Sequence, residues 1–251
     1  MHTIGQPFIL LDSTESTNIH AMAEAHARLA GHGTAFFAQE QTSGKGQRGK
    51  SWLSEPGKNI ILSVVLQPRE MNPADVFPLH LISALACFDL FNKYAGGETA
   101  IKWPNDLYWR DRKAGGILIE NAVLGNRVEF SIVGMGININ QTLFPEQLVN
   151  PVSLRQITGK THAAPEMARE LCGLLDKRYS QFLKTGMDQL LVEYNQHLFA
   201  RGRQVWLKTG NIRSKWVVKG VDRNGLLLAE AVGEKRSFAF GEVEWMETLM
   251  D

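Results

Sequence analysis

Beyond Ala200-Arg201-Gly202 the hydrophobic pattern changes period, and this limits the fold more than any other feature of the chain. Residues 204–207, 215–221, 225–229, 236–239 and 243–245 are short runs separated by Gly- or Asn-bearing turns such as Arg223-Asn224-Gly225. Strand side chains alternate between two faces, so period-two runs with tight turns between them predict short antiparallel strands. Five of them make a small β-barrel. Upstream, longer segments with helical spacing are interleaved with apolar strands. The chain is therefore expected to be α+β, with residues 1–199 forming a main domain and residues 200–251 a small terminal barrel. Its 251 residues are enough for one sizeable core plus a small one.

In the main part, strands are predicted over 8–11, 35–39, 59–66, 115–120 and 128–133. A helix is expected over 18–30, closed by Gly31, and a longer one over 74–94, closed by Gly96-Gly97. The long helix carries Phe77, Leu81, Leu85, Phe88 and Leu90 on its apolar side. Amphipathic helices are predicted over 165–184 and 187–198, and 141–151 reads as irregular. Net charge is +1, with no polybasic run to suggest nucleic acid or a membrane surface as partner. Cys87 and Cys172 lie in apolar helical patterns and read as buried free thiols. With no signal-peptide pattern and no uninterrupted apolar run of spanning length, a cytoplasmic protein is expected.

Residues 41–52 concentrate the local charge. Gly44, Gly46 and Gly49 alternate with Lys45, Arg48 and Lys50, a backbone able to approach a ligand closely, with cations suited to phosphate or carboxylate. Taken alone, such a stretch is equally a solvated basic turn. Gly44 to Ser51 also fits the G-x-x-x-x-G-K-[ST] pattern, but a P-loop needs a helix directly after it to complete the phosphate cradle. Trp52-Leu53-Ser54-Glu55-Pro56-Gly57 is a turn and a strand follows, so the match lies in the wrong context. The loop is expected to lie between two strands and close over a ligand as a mobile flap.

Other stretches present polar groups where a core would not. Ser16, Thr17 and Asn18 open a helix, where capping is their plain role and facing a polar ligand the additional one. Lys102 lies in the apolar stretch 100–108; a buried lysine needs a partner, and Asp106 is a candidate. Pro104 breaks that strand. Lys113 follows a charged turn at 111–113 and precedes Gly115-Gly116, which clear room for a ligand; by itself it would be a solvated lysine. Gly134-Met135-Gly136 lacks the third glycine and the helix of a dinucleotide fingerprint, and Asn138 and Asn140 follow on one face.

Taken in order, Glu15-Ser16-Thr17-Asn18, the loop from Gly44 to Trp52, Lys102-Trp103-Pro104-Asn105-Asp106 with the stretch from Lys113 to Glu120, and the stretch from Gly134 to Asn140 resemble biotin protein ligase, the biotin–[acetyl-CoA-carboxylase] ligase family. The likeness covers nearly the whole chain. It implies a mixed, largely antiparallel sheet with helices followed by an SH3-like barrel. The implied activity has two half-reactions: biotin and ATP, with Mg²⁺, give biotinyl-5'-AMP, and biotin then passes to a lysine of a biotin carboxyl carrier protein domain. By resemblance, Ser16, Thr17, Asn18 and Gln41 meet the biotin ring. Lys45, Gly46, Gln47 and Arg48 cover its carboxylate and the adenylate phosphate, and Lys113 bridges carboxylate and phosphate. Gly116 and Gly134 give close backbone approach. Arg48, Lys50, Trp52, Lys102, Asn105 and Asn138 fall on the nucleotide side, and Asp106 meets Mg²⁺ or Lys102. Lys113, Arg48 and Lys45 would be the catalytic set.

The commonest loop of the family is Gly-Arg-Gly-Arg-Arg-Gly-Arg. Here Lys45, Gln47 and Lys50 replace three of its arginines, and Gln47 loses the charge. The residues before the first predicted strand are too few for a helix-turn-helix, so no DNA binding is expected; a homodimer is compatible with the resemblance. A lipoate or octanoate ligase or transferase on the same fold is the alternative, but an acyl chain needs no ureido hydrogen bonds from Ser16, Thr17 and Asn18. A P-loop NTPase and a biotin-responsive DNA-binding regulator are disfavoured by the loop context and by the missing module.

Overall fold

The structure, a computed structural model, describes residues 3–68 and 71–246. The outermost residues of both expected domains, 1–2 and 247–251, lie outside the described residues.

Seven strands form the main sheet: β1 (Phe8–Thr14), β2 (Ala35–Gln41), β3 (Ile60–Leu66), β4 (Thr99–Lys102), β5 (Asp106–Trp109), β6 (Arg112–Leu124) and β7 (Arg127–Ile137). Their order is β1-β2-β3-β7-β6-β5-β4. Only β1 and β2 run parallel; every other neighbour pair is antiparallel. β3 is buried along its whole length because both of its faces are covered. On one face lie α2 (Phe77–Ala95) and α4 (Ala164–Thr185), whose Leu81, Leu85, Leu171 and Leu175 pack with Phe37, Leu62, Val64 and Met135. On the other lies α1 (Thr17–His26), with Ala21 and Ala25 against Phe36, Val65 and Ile132. The adjacent Phe36 and Phe37 thus fill opposite cores, as strand alternation requires.

The mixed, largely antiparallel α+β architecture expected from the sequence is the one observed. The segment Pro73–Ala95 is long and apolar enough to cross a membrane by composition. Most of α2's side chains, however, are buried against the sheet. Both cysteines are buried and free, and burial pushes the Cys172 thiol up to about 12 and Cys87 up as well, so neither offers a thiolate.

The terminal segment forms a five-stranded antiparallel sheet of β8 (Gln204–Thr209), β9 (Ile212–Val221), β10 (Leu227–Ala231), β11 (Glu234–Phe238) and β12 (Glu244–Trp245), in the order β11-β10-β9-β8-β12. Its interior residues Leu207, Trp216, Val218, Leu227 and Phe238 belong to the same continuous core as α2 and the main sheet. The junction is also hydrogen-bonded. Trp103 Nε1 donates to the Gly225 carbonyl at 2.9 Å, and Asn195, on α5 (Asp188–Gln196), brackets Val221 by donating to its carbonyl at 2.9 Å and accepting its N–H at 2.7 Å.

Element limits differ from the expected ones for local reasons. α1 stops at His26 rather than near Ala30, because Arg28 turns left-handed (φ 61°) and the N–H groups of Leu29 and Ala30 fold back to the Glu24 carbonyl. Residues 100–108 are a hairpin of β4 and β5 around Pro104, with Lys102 opposite Asp106. The charged turn falls one step earlier than expected, with Arg110 at φ 54°, so Lys113 lies inside β6. Asn138 and Asn140 lie just past the end of β7. A short helix, α3 (Leu154–Thr158), follows the irregular stretch and opens on a Ser153/Gln156 capping box.

Candidate active site

The glycine–cation loop runs between β2 and β3, and no α-helix follows Ser51. It is folded on itself. Gly46 N–H donates to the Lys50 carbonyl at 2.7 Å and Trp52 N–H to the Gly44 carbonyl at 2.8 Å, around a 3₁₀ turn at Gln47–Gly49. This internally bonded turn covers a small cleft of about 60 Å³ over the middle of the sheet. Ser16, Thr17, Asn18, Gln41, Lys45, Gly46, Gln47, Trp52, Asn105, Asp106, Lys113, Gly116 and Gly134 all line it, although they come from positions far apart in the chain.

Two glycines of β7 make the floor passable. A Cβ at Gly134 would overlap Asn18 Oδ1, and one at Gly136 would stand 2.5 Å from the Trp52 indole. Real Cβ atoms do not approach so closely, so these two positions seat Asn18 and Trp52 directly on the strand backbone. Gly116 opens the third side, where the nearest atoms are Asp106 Oδ1 and Trp52 Cζ3 at 3.5 Å and Lys113 Cε at 3.6 Å.

One wall is polar and dense. Ser16 occupies the N-cap position of α1 but its side chain makes no capping bond. Thr17 N–H donates to Gln41 Oε1 at 2.7 Å. Asn18 is 4 % exposed and donates from Nδ2 to Glu120 Oε2 at 2.7 Å, while the Ser63 hydroxyl donates to its Oδ1 at 2.6 Å. Thr17 and Asn18 are thus built into a side-chain network, and capping does not account for them. Ser63 and Glu120 were not singled out among the sequence candidates. A lone hydroxyl in the otherwise apolar strand Ile60–Leu66 was the available signal for Ser63.

The cleft also carries charge. Lys113 Nζ is ion-paired to Asp106 Oδ1 at 2.7 Å, and Lys45 Nζ lies 4.0 Å from Glu120 Oε1. Asp106 therefore pairs with Lys113. Lys102, for which Asp106 had been the suggested partner, donates to the Tyr108 hydroxyl at 3.0 Å and lies over the rings of Tyr108, Phe199 and Trp245 at the junction of the two sheets. Gln47 faces inward: its Nε2 donates to the Ile117 carbonyl at 3.3 Å, and its Oε1 is buried without a partner among the described residues. Asn105 Nδ2 donates to the same carbonyl at 2.7 Å.

Four sequence candidates are not on the cleft wall. Arg48, left-handed at φ 56°, lays its guanidinium beside Gly241 of the terminal sheet, and Lys50 is exposed. Lys102 sits in its aromatic cage. Asn138 donates to the Val152 carbonyl at 3.2 Å, tying the end of β7 to the segment beside Lys113. A second, more open groove lies across the loop, lined by Leu53, Gln141, Leu143 and Phe144, and it shares Gln41 and Trp52 with the first. Among the described residues no group of three His, Cys, Asp or Glu side chains could hold a metal, and Asp106 is the one carboxylate on the cleft wall. A single carboxylate suits a Mg²⁺ that arrives on a triphosphate better than a resident ion.

Comparisons with known proteins agree with this geometry. The model of the biotin/lipoate A/B protein ligase family matches residues 10–138. The chain is 31 % identical to the bifunctional ligase/repressor BirA of Bacillus spizizenii over 90 % of its own length and 70 % of that protein. It is 29 % identical to the biotin–[acetyl-CoA-carboxylase] ligase of Paracoccus denitrificans, over 93 % and 98 %. Its structure resembles the biotin protein ligase from Aquifex aeolicus in complex with biotin and ATP, with TM-score 0.79, 25 % identity and coverage of 96 % and 98 %. The chain belongs to the biotin/lipoate A/B protein ligase family, in its biotin protein ligase branch.

Proposed function

We propose that this chain activates biotin with ATP to biotinyl-5'-AMP and transfers the biotin to a lysine of a carrier protein domain. The observation that carries this reading is the cleft itself. A polar wall of Ser16, Thr17 and Asn18 faces a site flanked by Lys45 and Lys113, over glycines that admit a ligand to the backbone. A ureido ring has donors and an acceptor to match that wall, whereas an acyl chain has neither.

In the first half-reaction a biotin carboxylate oxygen attacks the α-phosphorus of ATP, and the bond to pyrophosphate breaks. Two anions must meet, so the residues have to supply positive charge in fixed positions. Lys113, inside a strand, and Lys45, on the loop, are assigned that role. Gln41 completes the ring site, with Gly46 and Gln47 over the carboxylate. Trp52 and Asn105 are assigned to the nucleotide side, where the second groove begins. ATP enters with Mg²⁺, and Asp106 is the carboxylate available to that ion. Arg48, Lys50, Lys102 and Asn138 reach the nucleotide only if the loop or the nearby segments shift. In the second half-reaction the carrier lysine's amine attacks the acyl carbon, the C–O bond to phosphate breaks, AMP leaves, and the amine loses a proton. We place this activity in a cytoplasmic protein whose residues 1–199 hold the site and whose residues 200–251 form the barrel. Its partner is the carrier domain, with no nucleic acid or membrane.

The test is ATP–pyrophosphate exchange with biotin, lipoate or octanoate added. Exchange that requires biotin and Mg²⁺ is expected; equal exchange with lipoate, or none with biotin, would overturn the reading.

A further expectation concerns Gln47. A charge-assisted hydrogen bond contributes about 1.5–3 kcal/mol and a neutral one roughly 0.5–1.5. Gln47→Arg, placing a guanidinium where the side chain already faces the cleft, is expected to slow release of preformed adenylate several-fold, about 1 kcal/mol. The difference should narrow as salt rises. Equal release rates at low and high salt would remove position 47 from adenylate retention.

A further inference from the structure

We infer that Glu120 is a positioning residue that sets the polarity of the ring-binding wall, by deciding which end of the Asn18 amide faces the cleft. This rests on the functional reading above. Alternation along β6 puts Gly116, Leu118 and Glu120 on one face. Gly116 and Leu118 line the cleft, whereas Glu120 stands behind Asn18 and off the lining.

An asparagine side chain offers a carbonyl at one end and an NH₂ at the other, and the two ends have nearly the same shape. What distinguishes them is the partner. A carboxylate only accepts, so the end of Asn18 lying 2.7 Å from Glu120 Oε2 must be the NH₂. The Leu118 carbonyl, another pure acceptor, lies 3.4 Å from the same nitrogen. Asn18 Oδ1 is thereby turned toward the Ser63 hydroxyl at 2.6 Å, which also lies 2.7 Å from Thr17 Oγ1. Oδ1 itself fills the seat over Gly134 on the cleft floor, and one of its lone pairs remains after the Ser63 contact. The wall therefore presents an acceptor there, which suits a ligand N–H. Without Glu120 the amide can turn over, present its NH₂ to Ser63, and offer the ligand a donor in place of an acceptor. The second oxygen of Glu120, 4.0 Å from Lys45 Nζ, adds a partly exposed ion pair to the loop. Solvent screens such a pair, so the amide contact is the dominant one.

The experiment measures biotin KM and kcat in pyrophosphate exchange, with biotin binding by calorimetry, for the wild-type chain and for Glu120→Ala, Glu120→Gln and Glu120→Asp, each also in an Asn18→Ala background. Glu120→Ala is expected to raise KM for biotin about tenfold or more, as for a lost charge-assisted hydrogen bond, with kcat and KM for ATP changed little. Glu120→Gln keeps an acceptor within reach of Asn18 and should restore most of the affinity without restoring the charge. Glu120→Asp keeps the charge, withdraws the acceptor by one methylene, and should not. Because Glu120 acts through Asn18, its substitutions should add nothing once Asn18 is alanine. If Glu120→Ala does not fold, the contrast between the Gln and Asp variants decides the matter. Wild-type kinetics in Glu120→Ala, a better rescue by Asp than by Gln, or full additivity with Asn18→Ala would overturn the assignment. Failure of the wild-type chain to bind biotin at all would instead overturn the functional reading, and this inference with it.

Discussion

Lys113→Ala is expected to remain folded and to lose biotin-dependent pyrophosphate exchange by at least about 10²-fold, the scale seen when a positioned group facing developing charge is removed. The fold should survive because β6 is held at this point by backbone. Lys113 N–H donates to the Asn150 carbonyl at 2.9 Å, and its own carbonyl accepts the Val152 N–H at 2.8 Å. The side chain contributes a half-exposed ion pair with Asp106, and such pairs add little to stability. The effect on the reaction should be larger than the loss of one charge. Asp106, left without its partner, adds a negative charge to a site that must admit a carboxylate and a triphosphate. Exchange within about threefold of wild type in the purified, folded single variant would refute the role assigned to Lys113.

Gly134→Ala is expected to be nearly as damaging, by a different route. The added Cβ would overlap Asn18 Oδ1 and lie 2.9 Å from Asn18 Cγ. The amide cannot stay where it is, so its bonds with Ser63 and Glu120 are lost together and the ring wall loses its shape. KM for biotin should rise by about 10²-fold, the sum of two or so charge-assisted or buried hydrogen bonds. Overpacking of this kind costs roughly 1–3 kcal/mol of stability, and at this chain length that corresponds to a drop in Tm of a few degrees, at about 2–4 °C per kcal/mol. Gly173→Ala, whose Cβ would meet nothing within 4 Å, is the control. Asn18→Ala in the Gly134→Ala background should return the lost stability, by removing the overlap, without returning affinity. A double variant no more stable than Gly134→Ala would show that the clash lies elsewhere.

The fold was legible where one physical signal dominates. The period-two runs after Gly202 became β8 to β12 with limits shifted by only a few residues, because alternation and turn residues act locally. The buried strand β3 was equally plain from its unbroken apolar run. Helix ends were less so: the fold-back at Arg28 depends on backbone bonds to Glu24 that no residue pattern announces. In the site, motif order pointed to the residues that converge on the cleft, but not to which cation pairs with which carboxylate. Lys102 and Asp106 are cross-strand neighbours, yet Asp106 pairs with Lys113 across a bulge in the β5–β6 ladder. Partner choice of that kind is decided by side-chain direction in three dimensions, which spacing does not contain. Ser63 and Glu120 escaped notice for the same reason, since each acts by touching Asn18.

Trp52 is a residue shared by two compartments: its indole rests on Gly136, and it lines both the small cleft and the open groove. A wall shared by two compartments makes their occupants thermodynamically linked. If a molecule entering one compartment displaces the indole, the work of that displacement is already done when the second arrives. The second then binds more tightly than it would alone, and by the same factor with which it would strengthen the first. Measured with non-reacting analogues, the two affinities should therefore form a closed cycle whose coupling vanishes in Trp52→Ala.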